Sequence, residues 1–371
     1  MSNFKLTYSN SVYLDVIRAV SSQMVVVGHA ISFLAILPMF QPPHFPYIQN
    51  IAVLIFFILS GFLISYSIFR KDDYSFKEYF IDRFSRIYSG LIPSILVVFI
   101  LDYINIKLNP VEYAYYDAFN IKTFLGNLLM LEDFPGQILL TENPITSFGS
   151  GRTLWSLAVE WWLYMAFGYF IIKIWRTKKF RFQTVLVFLL LAIAPCYNVM
   201  YGRGNSLTTY WLLGVLLYIL LPILKAANLP RKISGFLFLL FSTLAIGREA
   251  LIIIKDFNYI AYDPVFAVLL MLILLFSIDF FKDLNYKEGF VKVIRFFADY
   301  SFTLYLVHYS VLVFIFSNFK AEESPYLYFL ISLLLSNVLS AGIAYFTEMK
   351  HRTVRNKLKE IFLKKTTNDL R

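Results

Sequence analysis

Ten apolar stretches succeed one another along this chain, at about residues 12–38, 51–69, 87–104, 154–175, 182–200, 207–224, 233–254, 260–281, 294–317 and 326–348. Little chain is left for a water-soluble core. A helix rising roughly 1.5 Å per residue needs about 20 residues to cross a hydrocarbon layer of about 30 Å. No water is available in that layer to satisfy backbone N–H and C=O groups, so segments of this length must cross as helices. The expected fold is therefore all-α, a polytopic membrane protein of about ten transmembrane helices. Composition agrees: 58% of residues are hydrophobic and the mean hydropathy is +0.63. The 39 Phe and 26 Tyr suit a lipid-facing surface with interfacial belts. No internal repeat or low-complexity tract interrupts the pattern. The N-terminus lacks the form of a cleavable signal, because the first span is too long and holds a charge.

Charge placement orients the spans. With both termini in the cytoplasm, most of the 34 Lys and Arg fall on the inner side. They include Arg70, Lys71, Lys77, Arg83 and Arg86, then the run 173–181, then a basic cytoplasmic tail, 351–371. Loop 39–50 carries no basic residue. This is the positive-inside bias, and it predicts two cytoplasmic termini. The net charge of +10 then follows from orientation and from attraction to anionic membrane lipids, so no nucleic-acid partner is expected. The single cysteine, Cys196, excludes an internal disulfide and any multi-cysteine metal site, and no metal is expected. One connection breaks the pattern. Segment 105–152 is a long outer loop that leans acidic (Glu112, Asp117, Glu132, Asp133, Glu142), and its part Ile121–Leu131 is apolar enough to lie on or dip into the membrane. Loops of this length are functional, as lids, or simply mobile.

Several polar residues fall inside or at the edges of spans. Arg18 and His29 lie in the first. Eleven residues is close to a whole number of turns, so both share one face, roughly 16 Å apart in depth. An intramembrane Arg is costly and normally faces a bundle interior or a wet cavity. The simpler alternative is an Arg that snorkels to the interface and a His bonded to a carbonyl. Asp15 and Arg18 fall near the cytoplasmic edge, as do Arg83 and Arg86, spaced i, i+3 on one helical face. Arginine's planar fork suits phosphate, so Arg18, Arg83 and Arg86 can make an anion site; ordinary positive-inside anchoring is the alternative for Arg83 and Arg86. The outer half holds different chemistry. Trp155, Ser156 and Glu160 begin the fourth span, and Ser301, Tyr305 and His308 share a face of the ninth. A His and a Glu at similar depth can form an acid/base pair. Each residue singly can also serve a helix–helix hydrogen bond.

These blocks resemble the acyltransferase-3 family, membrane enzymes that acylate surface glycans. LDVIRAVSSQMVVVGHA (14–30) is similar to the family's opening, FFILSGFLIS to its next block, RFSRIY to its basic block, WSLAVEWWLY to its Trp-Ser-Leu…Glu block and SFTLYLVH to its late Tyr…His block. They occur in the family's order over residues 14–308. One departure stands out: the family usually has Pro after RIY, and here Ser89 stands there, with Pro93 four residues on.

The resemblance implies a transmembrane acyltransferase domain over 1–350, an acyl-CoA donor at the cytoplasmic face and a hydroxyl acceptor. It also implies functional Arg18, His29, Arg83 and Arg86. The residues suit this: CoA is polyanionic and cytosolic, and the basic cluster is cytoplasmic. His29 is the better-placed base to activate a hydroxyl, with Glu160 as its catalytic partner. Trp155, Ser156, Tyr305 and His308 are assigned to the acceptor side, Tyr305 or Ser156 as donors to an oxyanion. His44 and His351 receive no catalytic role. Only a short basic tail follows residue 350, so no appended hydrolase-like domain is expected. The expected function is an O-acyltransferase of a bacterial inner membrane, moving an acetyl group from acetyl-CoA to a saccharide or lipid-linked glycan, with no permanently bound cofactor. The main rival is a transporter using intramembrane Arg, His and Glu for substrate or proton passage.

Overall fold

The computed structural model describes residues 5–42, 44–110, 113–132, 134–135, 144–200, 206–254 and 262–363. It is 80% helical, and the described residues contain no strand. Among them, nine helices are long and apolar enough to cross a membrane, and a further apolar helix, Pro264–Phe280, is shorter. The chain is thus an all-α polytopic membrane protein. The helices are α1 (Tyr8–Leu34), α2 (Ile48–Phe69), α3 (Phe76–Leu108), a short α4 (Ile121–Leu128), α5 (Leu154–Tyr169, continued by a π-helical turn), α6 (Phe182–Met200), α7 (Leu207–Ala226), α8 (Arg231–Ile254), α9 (Pro264–Phe280), α10 (Glu288–Asp299), α11 (Ser301–Asn318), α12 (Pro325–Phe346) and α13 (His351–Leu363).

Two boundaries differ from the sequence reading for identifiable reasons. α3 starts at Phe76, well before residue 87, because Ser75 and Glu78 form a reciprocal capping box that satisfies two orphan N–H groups. The stretch 294–317 is not one span. Tyr300 breaks it into α10, which carries Glu288, Lys292, Arg295 and Asp299, and the apolar α11. Of the acidic loop residues, Glu112, Asp133 and Glu142 lie outside the described residues, as do the start of the stretch 260–281 and tail residues 364–371.

The helices sort into two compact units. The first comprises Met1–Asp72 and Gly204–Ser301, the second Asp73–Arg203 and Phe302–Arg371. In the first, α2 lies along α7, α9 packs on α7 and α8, and α1 touches α2 and α10. Glycine makes the α2–α7 contact possible. A Cβ on Gly61 would stand 2.0 Å from the Trp211 carbonyl oxygen, and one on Gly214 would stand 2.0 Å from that of Ile58. In lipid there is little hydrophobic drive between helices, so close backbone approach through small residues carries their association. The Trp211 indole N–H donates to Ser60 Oγ at 3.0 Å across the same contact. Gly214→Ala forces the two backbones apart. It should lower the stability of the purified protein by about 1–3 kcal/mol, the usual cost of overpacking, read as thermal unfolding in detergent; an unchanged midpoint would refute this packing argument.

In the second unit, Val307, Val311 and Ile315 of α11 form a buried stripe against Val97 and Leu101 of α3 and Tyr328 and Leu339 of α12. The long connection after α3 is tied down at its far end. Asp102 of α3, fully buried, accepts from the Ser150 N–H at 2.8 Å and from Ser150 Oγ at 2.6 Å. Gly149 turns the chain there with φ +51, where a side chain would strike Asp102. α13 packs along the first turns of α3. Lys359 pairs with Asp82 at 2.9 Å, and Lys77 Nζ donates to the Phe362 carbonyl at 2.6 Å. Tyr74 also donates to Asp82, at 2.6 Å. Burial and that carboxylate push the Tyr74 hydroxyl up, so it stays a proton donor.

Candidate active site

α1 carries two of the residues singled out in the sequence, on one unbroken helix. Part of the cost of Arg18 is met by a partner that no local pattern reveals. Its Nη2 donates to the Ala298 carbonyl at 2.8 Å and its Nη1 pairs with Asp15 at 3.3 Å. Ala298 lies in the last turn of α10, whose unsatisfied carbonyls attract a cation. Ser301 Oγ donates to the same carbonyl at 2.8 Å, and Arg295 Nε lies 3.9 Å from Asp15. His29 is half-buried. Its neighbour Gly28 lets α1 meet the start of α2: a Cβ there would lie 2.3 Å from Gln49 Oε1. Ser32 Oγ donates to the Gly28 carbonyl at 3.0 Å, and Gln49 Nε2 donates to Ser32 Oγ at 3.4 Å. The backbone that presents His29 is therefore firmly held.

Within the second unit, α3 runs through Ser89 without interruption and holds Pro93 inside it. Serine in place of the family's usual proline thus leaves the helix intact around Arg83 and Arg86. The Arg83 guanidinium lies 5.9 Å from the centre of the Tyr79 ring. Its Nε is buried with no hydrogen-bond partner among the described residues, an arrangement that costs free energy until a partner arrives. Arg86 pairs with Glu348 at 3.0 Å and lies 6.0 Å from the Phe302 ring centre. Gly90 lets Phe302 approach α3 here.

The structure brings α5 and α11 together, which the sequence left open. Ser156 Oγ donates to the Thr153 carbonyl at 3.0 Å. The Tyr305 hydroxyl, 2.6 Å from Ser156 Oγ, must then be the donor in that contact. Trp155 is half-buried on the same turn of α5. Glu160 accepts from Tyr164 one turn along at 2.5 Å. His308 is fully buried, and its Nδ1 lies 2.9 Å from the Leu304 carbonyl. A carbonyl only accepts, so Nδ1 carries the hydrogen and Nε2 is the acceptor nitrogen. His308 is thus held within α11, one turn from Tyr305.

Two of the buried carboxylates that escaped the sequence reading lie near span ends. Asp102 and Glu348 both look like span-end charges, and neither is solvent-exposed. The available signal for Glu348 was its depth: it ends the last span on the side where Arg86 begins the third.

The profile of a family described as an acyltransferase domain matches residues 11–345. An O-acetyl transferase of Shigella phage Sf6 is 30% identical over 186 residues, covering 48% of this chain and 51% of the phage protein. A Staphylococcus aureus (strain COL) protein, provisionally named an O-acetyltransferase, is 24% identical over 318 residues, covering 78% of this chain and 50% of its own length. The chain thus spans about half the length of the curated relatives it matches. No solved structure matches it significantly.

Proposed function

Because the chain belongs to the acyltransferase-3 family, matched over residues 11–345, we propose that it is a membrane O-acetyltransferase that takes its acyl group from cytoplasmic acyl-CoA and delivers it to a hydroxyl of a saccharide or lipid-linked glycan. Both relatives carry O-acetyltransferase names, which favours an acetyl group and displaces the transporter reading. The observation that carries the donor assignment is Arg83: a buried guanidinium nitrogen without a hydrogen-bond partner among the described residues, one turn from Arg86, at the basic end of α3. Phosphates of CoA would supply acceptors there, and the planar forks of both arginines suit them.

In the proposed reaction, an imidazole nitrogen of His29 takes the proton of the acceptor hydroxyl. The oxygen attacks the thioester carbonyl, the carbon–sulfur bond breaks, and the CoA thiolate leaves and is protonated by the imidazolium. Glu160 is assigned to orient a base or the acceptor, and Trp155, Ser156, Tyr305 and His308 stay assigned to the acceptor side. Positive-inside charge supports both termini being cytoplasmic, and a bacterial inner membrane is proposed as the setting.

Calorimetry with acetyl-CoA on the purified protein tests the donor site. Arg83→Ala should weaken binding by about tenfold or more, since a hydrogen bond to a charged group contributes roughly 1.5–3 kcal/mol. Arg86→Ala should do the same. If both variants bind acetyl-CoA as wild type does, these arginines are topology anchors only.

A further inference from the structure

We infer that Glu348 is a positioning residue for the donor site: its buried carboxylate fixes the Arg86 guanidinium toward the phosphates of acyl-CoA by tying it to the N-terminus of α11. The inference rests on the proposed role of Arg86 and adds a residue from the far end of the chain to it.

Glu348 follows α12 in a short 3-10 turn, Glu348–Lys350, and is fully buried. Oε2 accepts from the Thr303 N–H at 2.9 Å and from Thr303 Oγ1 at 2.8 Å. Thr303 is the third residue of α11, so its N–H has no partner within that helix. A carboxylate at a helix N-terminus is also favoured by the helix dipole. Oε1 pairs with Arg86 Nη2 at 3.0 Å. One side chain therefore joins α3, the start of α11 and the end of α12. A buried carboxylate is a poor source of net stability, because desolvation offsets most of its attraction. What it does supply is direction. Arg86 is a long, flexible side chain; ion-paired through one nitrogen with a carboxylate whose other oxygen is held by two hydrogen bonds, it is restrained toward that corner and retains further N–H donors. The Phe302 ring flanks it. Preorganised charge binds an anion with less loss of side-chain freedom. α13 closes the same corner, with His351 Nδ1 2.8 Å from the Glu348 carbonyl.

Glu348→Gln separates direction from folding. The amide oxygen can still accept from Thr303, but the ion pair is lost. We expect the KM for acetyl-CoA to rise about tenfold, with kcat and the acceptor KM within about twofold of wild type, the pattern of lost donor binding. The thermal midpoint should stay near that of wild type. Glu348→Gln added to Arg86→Gln should raise the donor KM no further than Arg86→Gln alone, because the two residues act as one unit. Thr303→Val keeps the charge pair and removes one support; a rise of about twofold to threefold in donor KM is expected, less than the worth of a full charge-assisted bond, and it stands as the test if Glu348→Gln fails to fold. The outcomes are distinguishable. If Arg86→Gln leaves acetyl-CoA binding unchanged, the donor reading itself fails. If Arg86→Gln weakens binding while Glu348→Gln and Thr303→Val do not, or if the Glu348→Gln and Arg86→Gln effects multiply, the positioning role is overturned and the donor reading stands. A fall in kcat and thermal midpoint with unchanged donor KM marks Glu348 as structural and also overturns it.

Discussion

His29→Ala should abolish acetyl transfer, lowering kcat by roughly 10²–10⁴-fold, the usual contribution of a general base. Acetyl-CoA affinity and the thermal midpoint should stay close to wild type. Two features of α1 make the substitution clean. Gly28, not His29, forms the tight contact with Gln49, so the α1–α2 packing survives the loss of the imidazole. Alanine is also the best helix former, so the helix is not weakened at that turn. The alternatives for a base are poorer. The His308 ring is sealed in the core with its Nδ1 on Leu304, and His351 lies at the start of α13 with its Nδ1 on the Glu348 carbonyl. Half-buried His29 combines access with a rigid support. His29→Gln tests the same point with a side chain that still forms hydrogen bonds but cannot take the proton. Single-turnover transfer with saturating acetyl-CoA is the measurement. Activity of either variant within about threefold of wild type would remove His29 from the chemistry, because no catalytic base contributes so little.

The spans were legible because burial in lipid needs only apolar length, which any window along the chain reports. Their ends were less so. The start of α3 depends on a two-residue capping box, and the division between α10 and α11 depends on charge spacing inside a stretch that still averages apolar. The candidate site divides in the same way. Arg18 stood out through the cost of its charge, but the carbonyl that receives it belongs to Ala298, 280 residues away. Ser156 and Tyr305 were each visible as polar residues on apolar helices; that they share a hydrogen bond is tertiary information. Glu348 is the instructive miss. Beside Lys350, His351 and Arg352 it reads as one more surface charge, and only packing shows it desolvated and bound to Thr303 and Arg86. Sequence reports which charges are expensive; partners at long separation decide which of them are already satisfied.

Sidedness carries the other large expected effect. Transfer should occur only when acetyl-CoA is supplied to the cytoplasmic face, and the acetylated hydroxyl should appear on the outer side. The basic residues that end the apolar stretches alternate with poorly basic connections in the sense of the positive-inside rule, and Arg83 and Arg86 fall on the basic side. Arg18 is near the inner end of α1, and His29 is eleven residues further out, roughly 16 Å at about 1.5 Å per residue. A phosphate-bearing donor cannot enter hydrocarbon without a large desolvation cost, so its nucleotide end must stay with the inner arginines. Only its thin, uncharged pantetheine arm can extend into the apolar layer. The acyl group alone would then cross the outer half of the membrane. The well-anchored end of the outer connection, where Asp102 holds Ser150, leads directly into the turn that carries Trp155 and Ser156, consistent with an acceptor approaching from that side. Vesicles of both orientations, given labelled acetyl-CoA on one face, measure this directly. Inverted vesicles should label acceptor with external acetyl-CoA, and right-side-out vesicles should not until they are loaded internally. Label transferred equally in both orientations would show that the donor needs no cytoplasmic site, and the assignment of Arg83 and Arg86 would fall with it.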